Sequence, residues 1–370
     1  GVKSTIASFW NNLYNCIASA NNILNWADKN KSVLGETNRN QVRGEALALR
    51  AFLHFDLYRL FCPDVKLSPW AEGIPYNKEF GVALPPMYTV EEFVQLVIND
   101  LKEAETLLVG DPIVSTVPYT LGTKSDADKY VARMNLYSVK AMLARAYQAK
   151  GDNVKAVAYA KEVIESGKFR LLEFASVDQT EALTDVLFSD EHIFSLRNKE
   201  LKDYSEKLHR DESKNGVTSF KPLPFGSYYN WYEGNNDDVR YSKWFNLGDF
   251  MKYYMDNTDA FFRKMPMIKL SEMYLIVAEC SFDTDSETSL EYLNVLRDHR
   301  IRNHVHLQYL SKESIHDEMR REYLGEGQMW YVMKRNNLKI ETGASSGDIE
   351  PSDVVYVFPM PDAEIEDGHR

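Results

Sequence analysis

Seven aromatic residues crowd into eighteen positions of this sequence: Tyr228, Tyr229, Trp231, Tyr232, Tyr241, Trp244 and Phe245. Between them lie amides, carboxylates and a guanidinium: Asn230, Asn235, Asn236, Asp237, Asp238 and Arg240. The chemistry open to such a set is non-covalent. Indole and phenol rings can stack on the apolar C–H face of a sugar ring while their rims stay wet, and neighbouring polar groups then fix its orientation. Any single ring can equally pin a loop to the body of the protein. The expectation is that at least two of the cluster face ligand, with Trp70, in an earlier loop, as a weaker candidate for the same shelf. The candidate binding set is therefore Trp70, Tyr228, Tyr229, Trp231, Tyr232, Asn236, Asp237, Arg240 and Trp244.

Covalent chemistry finds less support. The chain has no G-x-S-x-G, no Gly-rich phosphate loop and no H-E-x-x-H. Asp237 and Asp238 are adjacent, so their side chains are expected to diverge rather than flank one glycosidic bond. A glycosidase can draw its acids from distant segments, and that alternative stays open. "HRIRNHVH" carries His299, His304 and His306. In a strand His304 and His306 would share a face and permit a metal, but solvated surface histidines are the expectation. "DTDSE", residues 283–287, opens like a calcium loop. Thr288 then stands where the sharp-turn glycine belongs and Asn294 where the closing glutamate belongs, so an inter-helix turn is expected. Neither a cofactor nor a metal is expected, and no catalytic residue is assigned.

The elements that must position these groups read mainly as helices. The chain has 370 residues, is 44% hydrophobic and carries a net charge of -12. That balance disfavours a nucleic-acid partner, which needs a basic face, and electrostatic docking on anionic lipid. No apolar run approaches the roughly 20 residues needed to span a bilayer. Three cysteines, Cys16, Cys62 and Cys280, form no spaced framework and are expected as buried thiols. The stretch "RGEALALRAFLHFDLYRLFCPD", residues 43–64, is apolar on most of its circumference, whereas a surface helix needs only one apolar face. It must sit between two neighbours. Asp56 and Arg59 on it are i,i+3 partners, and Glu45 and Arg50 are expected to tie it to neighbouring elements. Pro63 ends it. Thr89 and Glu92 form a capping box for the next helix, which runs to about Leu108.

Further on, Ala144, Tyr147, Gly151-Asp152 and Ala156 fall where a tetratricopeptide-type hairpin wants small, aromatic, turn and small residues. Ala278 and Leu290 repeat the spacing more weakly. "FSDEHIFSLRN" has a short strand-like core, "SKESIHDEMRREYLGEGQMWYVMKRNN" reads as one long helix, and "VVYVFPMPDAEIED" as a strand and a Pro-led turn. The helical scaffold is thus expected over 1–62, 89–109, 129–170 and 266–336, with a variable ligand-binding insertion over 198–260.

Taken together and in order, "RGEALALRAFLHFDLYRLF", "LYSVKAMLARAYQAKGDNVKAVAYAKEVIESGKFRLLE" with "SDEHIFSLRN", "MPMIKLSEMYLIVAE" with "LEYLNVLRDHR", "RREYLGEGQMWYVMKR" and "VFPMPDAEIE" resemble the SusD/RagB-like family of outer-membrane nutrient-binding lipoproteins. The resemblance covers nearly the whole chain. It implies a single mainly α domain over 1–370: a tetratricopeptide-like helical scaffold with long irregular insertions and a few short strands. It marks Glu322, Glu326 and Trp330 as scaffold. It further implies a binding protein rather than an enzyme, on the outer face of the outer membrane. Such a protein captures oligosaccharide, or in some members peptide, and passes it to a SusC-like TonB-dependent transporter. The family's amino-terminal lipid anchor would lie upstream of Gly1, and both ends of the chain are expected to be trimmed. A helical-repeat adaptor for a protein partner remains the alternative from another class.

Overall fold

The structure, a computed structural model, describes residues 1–116, 127–178, 185–209, 227–246, 249–254, 264–342 and 347–368. Of the expected insertion, residues 210–226, 247–248 and 255–260 lie outside the described residues. The helices in chain order are α1 (Val2–Lys29), α2 (Lys31–Phe61), α3 (Val90–Leu107), α4 (Ala127–Val131), α5 (Leu136–Lys150), α6 (Asn153–Glu165), α7 (Phe174–Val177) and α8 (Leu201–His209). Then follow α9 (Ser227–Trp231), α10 (Val239–Trp244), α11 (Leu270–Ser281), α12 (Ser286–Asp298), α13 (Lys312–Glu322), α14 (Gln328–Arg335), α15 (Asp353–Tyr356) and α16 (Asp362–Asp367). Six short strands, β1 (Glu72–Pro75), β2 (Met87–Thr89), β3 (His192–Arg197), β4 (Phe245–Asn246), β5 (Asp249–Phe250) and β6 (Lys264–Lys269), pair two by two as β1-β2, β3-β6 and β4-β5. No helix among the described residues is long and apolar enough to cross a membrane. The chain divides into two compact units, one of residues 1–114, 134–159 and 328–370, the other of 115–133 and 160–327.

In the first unit α2 packs against α1 on one side and α3 on the other, and α3 in turn meets α5. This is why α2 is apolar nearly all round: Ala48, Ala51, Phe55 and Leu57 are all buried. Arg50 spans the layer. Its Nε and Nη2 donate to the two Asp100 carboxylate oxygens on α3 at 2.7 Å each, and its Nη1 donates to Asn21 Oδ1 on α1 at 2.9 Å. Asp56 and Arg59 form their ion pair. Lys334 on α14 donates to the Arg59 and Cys62 carbonyls, satisfying two groups that the end of α2 would leave unpaired. The Thr89–Glu92 capping box is present, with Thr89 N donating to Glu92 Oε2 at 2.9 Å. In the α5–α6 turn Gly151 takes φ +84°, and Tyr147 and Tyr159 stack at 5.7 Å. Cys62 is buried, but Cys16 is exposed, against expectation, because it falls on the outward side of α1.

In the second unit α11 packs on α12 and α13. The close approach uses Ser289 rather than Leu290: Ser289 is fully buried and its Oγ donates to Ala278 O at 2.6 Å. Asp285 N-caps α12 through Thr288 N, so "DTDSE" is the inter-helix turn. The strand expected near residue 193 pairs antiparallel with β6, whose residues lead directly into α11 at Leu270.

Two expectations are corrected. The late helix is two helices, α13 and α14, because Gly325 and Gly327 take φ of +76° and +70° between them. A Cβ on Gly325 would lie 2.8 Å from the Phe250 ring, so glycine is needed for contact as well as for φ. "VVYV" is the short helix α15, not a strand. After it Phe358 N donates to Leu60 O at 2.8 Å.

Candidate functional site

The aromatic segment folds as α9, a turn, α10 and β4. The turn places Glu233 at φ +59° and Gly234 at φ +66°. It is strapped to the segment after α12: Val239 N donates to Arg300 O at 2.9 Å and Arg302 N to Asp237 O at 3.1 Å. Asp238 caps α10, accepting from Arg240 N at 2.9 Å.

This geometry splits the candidates. Trp244 is 0% exposed, its Nε1 donates to Val186 O at 2.8 Å, and Lys252 Nζ sits 3.9 Å from its ring centroid. It belongs to the core with Leu187, Phe188, Val239 and Phe250. Tyr232 is buried too, its hydroxyl donating to Arg321 O at 3.1 Å. Arg240 is 0% exposed; it donates to Asp238 Oδ2 at 2.7 Å and lies 2.6 Å from Glu318 Oε1. These three residues hold the segment down instead of meeting solute. The reason is helical spacing: Arg240 and Trp244 are i,i+4 on α10 and share its inward face.

The remaining candidates lie at the surface. Tyr229, Trp231, Tyr241 and Phe245 are half-buried, while Asn236 and Asp237 are exposed. Tyr229 and Tyr241 stand 5.5 Å apart, Tyr241 and Phe245 6.0 Å, and Phe245 and Phe250 5.7 Å, which makes a row of rings. The Arg320 guanidinium lies 5.9 Å from the Trp231 ring. Asp237 and Asp238 diverge as expected, one exposed and one buried. Tyr228 falls on α9, and its side chain lies outside the described part of that helix. Trp70, in the first unit, is 79% exposed.

Beneath the row runs a buried ion network that sequence reading marked only as scaffold. Glu322 accepts from Arg300 Nε at 2.9 Å and Lys269 Nζ at 3.0 Å, and Glu326 from Lys252 at 2.7 Å. Burial alone would raise the carboxyl of Glu322, but Arg300 and Lys269 hold it well below the usual range. Burial pushes Lys252 down to about 8 against the pull of Glu326. Arg297 and Arg321 reach from this network to Glu233 in the turn, at 2.8 and 3.1 Å.

A grouping missed from sequence lies after α12. His304 Nδ1 and His306 Nε2 both sit 2.9 Å from Asp298 carboxylate oxygens. The chain there is irregular, not a strand, so the partner six residues upstream was invisible to period-two reasoning. Elsewhere, in the first unit, a concavity of about 540 Å³ lies between the start of α1 and the turn into α16, with Trp10, Lys3, Asn11 and Met360 among its walls. None of the expected site residues lines it.

Comparison with known proteins agrees with this architecture. A SusD-like family model, described as "Starch-binding associating with outer membrane", matches residues 2–136, and the SusD family model matches 225–354. No curated protein matches the chain. Among solved structures, a SusD superfamily protein from Bacteroides thetaiotaomicron is 22% identical, covers 96% of this chain and 83% of its own, and superposes with a TM-score of 0.75. A putative sugar binding protein from Bacteroides vulgatus is 24% identical, with 90% and 74% covered and a TM-score of 0.71. Surface glycan-binding protein A from Bacteroides uniformis is 18% identical, with 97% and 81% covered and a TM-score of 0.66. With family models matching near both ends and the fold shared along most of its length, the chain belongs to the SusD/RagB family.

Proposed function

We propose that this protein captures oligosaccharide at the surface of the outer membrane and passes it, unmodified, to a SusC-like TonB-dependent transporter. The observation that carries this reading is the row of rings only partly withdrawn from solvent, Tyr229, Tyr241 and Phe245, with half-buried Trp231 on the same helix as Tyr229. Asn236 and Asp237, in the turn between α9 and α10, supply exposed polar groups. The names of similar proteins, a putative sugar binding protein and a surface glycan-binding protein, support the ligand class. Trp70 belongs to the proposal as a separate exposed ring.

Binding without catalysis is supported by the acids near the rings. A glycosidase acid must be held protonated by its surroundings. Burial raises Glu233, but Arg297 and Arg321 outweigh it and leave its carboxyl below the ordinary value. Asp238 is taken up by Arg240. Delivery then rests on ligand shifting a conformational equilibrium, not on a reaction.

Calorimetry against panels of neutral oligosaccharides and of peptides tests the reading. Oligosaccharide should bind, and Trp231→Ala should weaken it by about 1–3 kcal/mol, by analogy with other ring-stacking contacts. Heat with peptides alone would transfer the protein to the peptide-binding alternative.

A further inference from the structure

We propose that Asp298, His304 and His306 form a site for a divalent transition-metal ion, Zn²⁺ foremost. Each residue offers one donor atom, and the three donors lie within 4.8 Å of one another. Ligands of a tetrahedral zinc sit about 3.4 Å apart, given metal–ligand bonds near 2.1 Å, so closure needs only side-chain adjustments. Two imidazoles and one carboxylate suit zinc, copper or nickel; calcium and magnesium prefer oxygen alone.

Accessibility and pre-orientation are both present. The side chains of Asp298 and His306 are 40% and 57% exposed, so an ion and its remaining waters can reach them. His304 is 4% exposed and held in place. Its tautomer follows from its partners. Arg297 Nε donates to His304 Nε2 at 3.1 Å, and a guanidinium has no acceptor. The ring proton therefore sits on Nδ1, pointing at Asp298.

Ion capture moves that proton to Nε2 and leaves the Nδ1 lone pair for the metal, with no net proton change for a neutral imidazole. His306 shifts its proton from Nε2 to Nδ1 in the same way. Arg297 gives up its contact with His304 and keeps Glu318 and Glu233 through Nη1 and Nη2, at 2.7 and 2.8 Å. That one lost contact makes the site weaker than a closed structural zinc centre. It also couples the ion to the turn that carries Glu233, beside Trp231.

Zn²⁺ titration calorimetry of the full chain at pH 7.5 tests the site, in a Cys16→Ser background because Cys16 is exposed. The expected result is saturable uptake of one ion per chain. His306→Ala and Asp298→Asn, both at partly exposed positions, should each weaken it at least about tenfold, since even outer-sphere changes cost 10- to 100-fold. His316→Ala, at a histidine outside the cluster, should leave it unchanged. Absence of saturable uptake by the parent chain, or uptake that both cluster variants retain at full strength, overturns the proposal.

Discussion

Two tryptophans thirteen positions apart, Trp231 and Trp244, differ in burial, the first half-buried and the second buried, although the sequence presents them alike. Trp244 is sealed in the core with its indole N–H satisfied, so Trp244→Ala should destabilise the fold by about 3–5 kcal/mol in denaturant titration. A loss of ligand affinity in that variant at unchanged stability would return Trp244 to the binding surface. Charge at neighbouring residues acts in two directions. Burial lifts Asp190 to about 6, helped by Asp185 and opposed by Arg170. A raised folded value means that the native state binds the proton more readily than the unfolded chain, so ionisation costs stability as pH rises from about 4 to 6. Asp190→Asn should therefore raise the melting temperature at pH 7.5 and lose that advantage near pH 4. Glu318 has the other sign. Burial raises it, but Arg240, Arg321 and Arg297 hold it far below the usual carboxylate range, so its contribution is present above that range and lost as pH falls below it.

At the scale of elements, the sequence announced what depends on local pattern. The Thr89–Glu92 cap, the Gly151 turn and the all-round apolarity of α2 each follow from residue type and period, and each is present. What the pattern hid depends on distant partners. Nothing in "LGEGQMW" distinguishes a tolerated helical glycine from one pressed against Phe250, seventy-five positions earlier. Nor did α10 declare which rings turn inward, since Trp, Tyr and Arg are all amphipathic and fit either side. Gly44 on α2 carries a related constraint. A Cβ there would stand 2.6 Å from Leu108 Cγ, beyond the end of α3. Alanine would gain about 1 kcal/mol of helix propensity and lose about 1–3 to overpacking. Gly44→Ala is thus expected to lower the melting temperature, and a rise would mean that Leu108 repacks freely.

For the whole molecule, family and architecture were legible because they are spread over many segments in fixed order, whereas the proposed site rests on side-chain directions within one segment. A net charge of -12 gives a further handle on the ligand. Stacking on an uncharged sugar is insensitive to ionic strength, while an acidic protein holding a basic peptide is not. Affinity for oligosaccharide should stay constant between about 0.05 and 0.5 M NaCl, a range over which screening lengths shrink several-fold. Steep weakening with salt would point to ion-paired peptide. The pairing of Arg197 on β3 with Lys264 on β6 has a last consequence. The sixty-six residues between them leave and return at one riveted point, so their ends are joined whatever their length. Doubling such a span costs only about 0.6 kcal/mol in chain entropy. Provided that Tyr232, Arg240 and Trp244 keep their anchorage, the stretch should accept insertions without disturbing the strand pair that closes it.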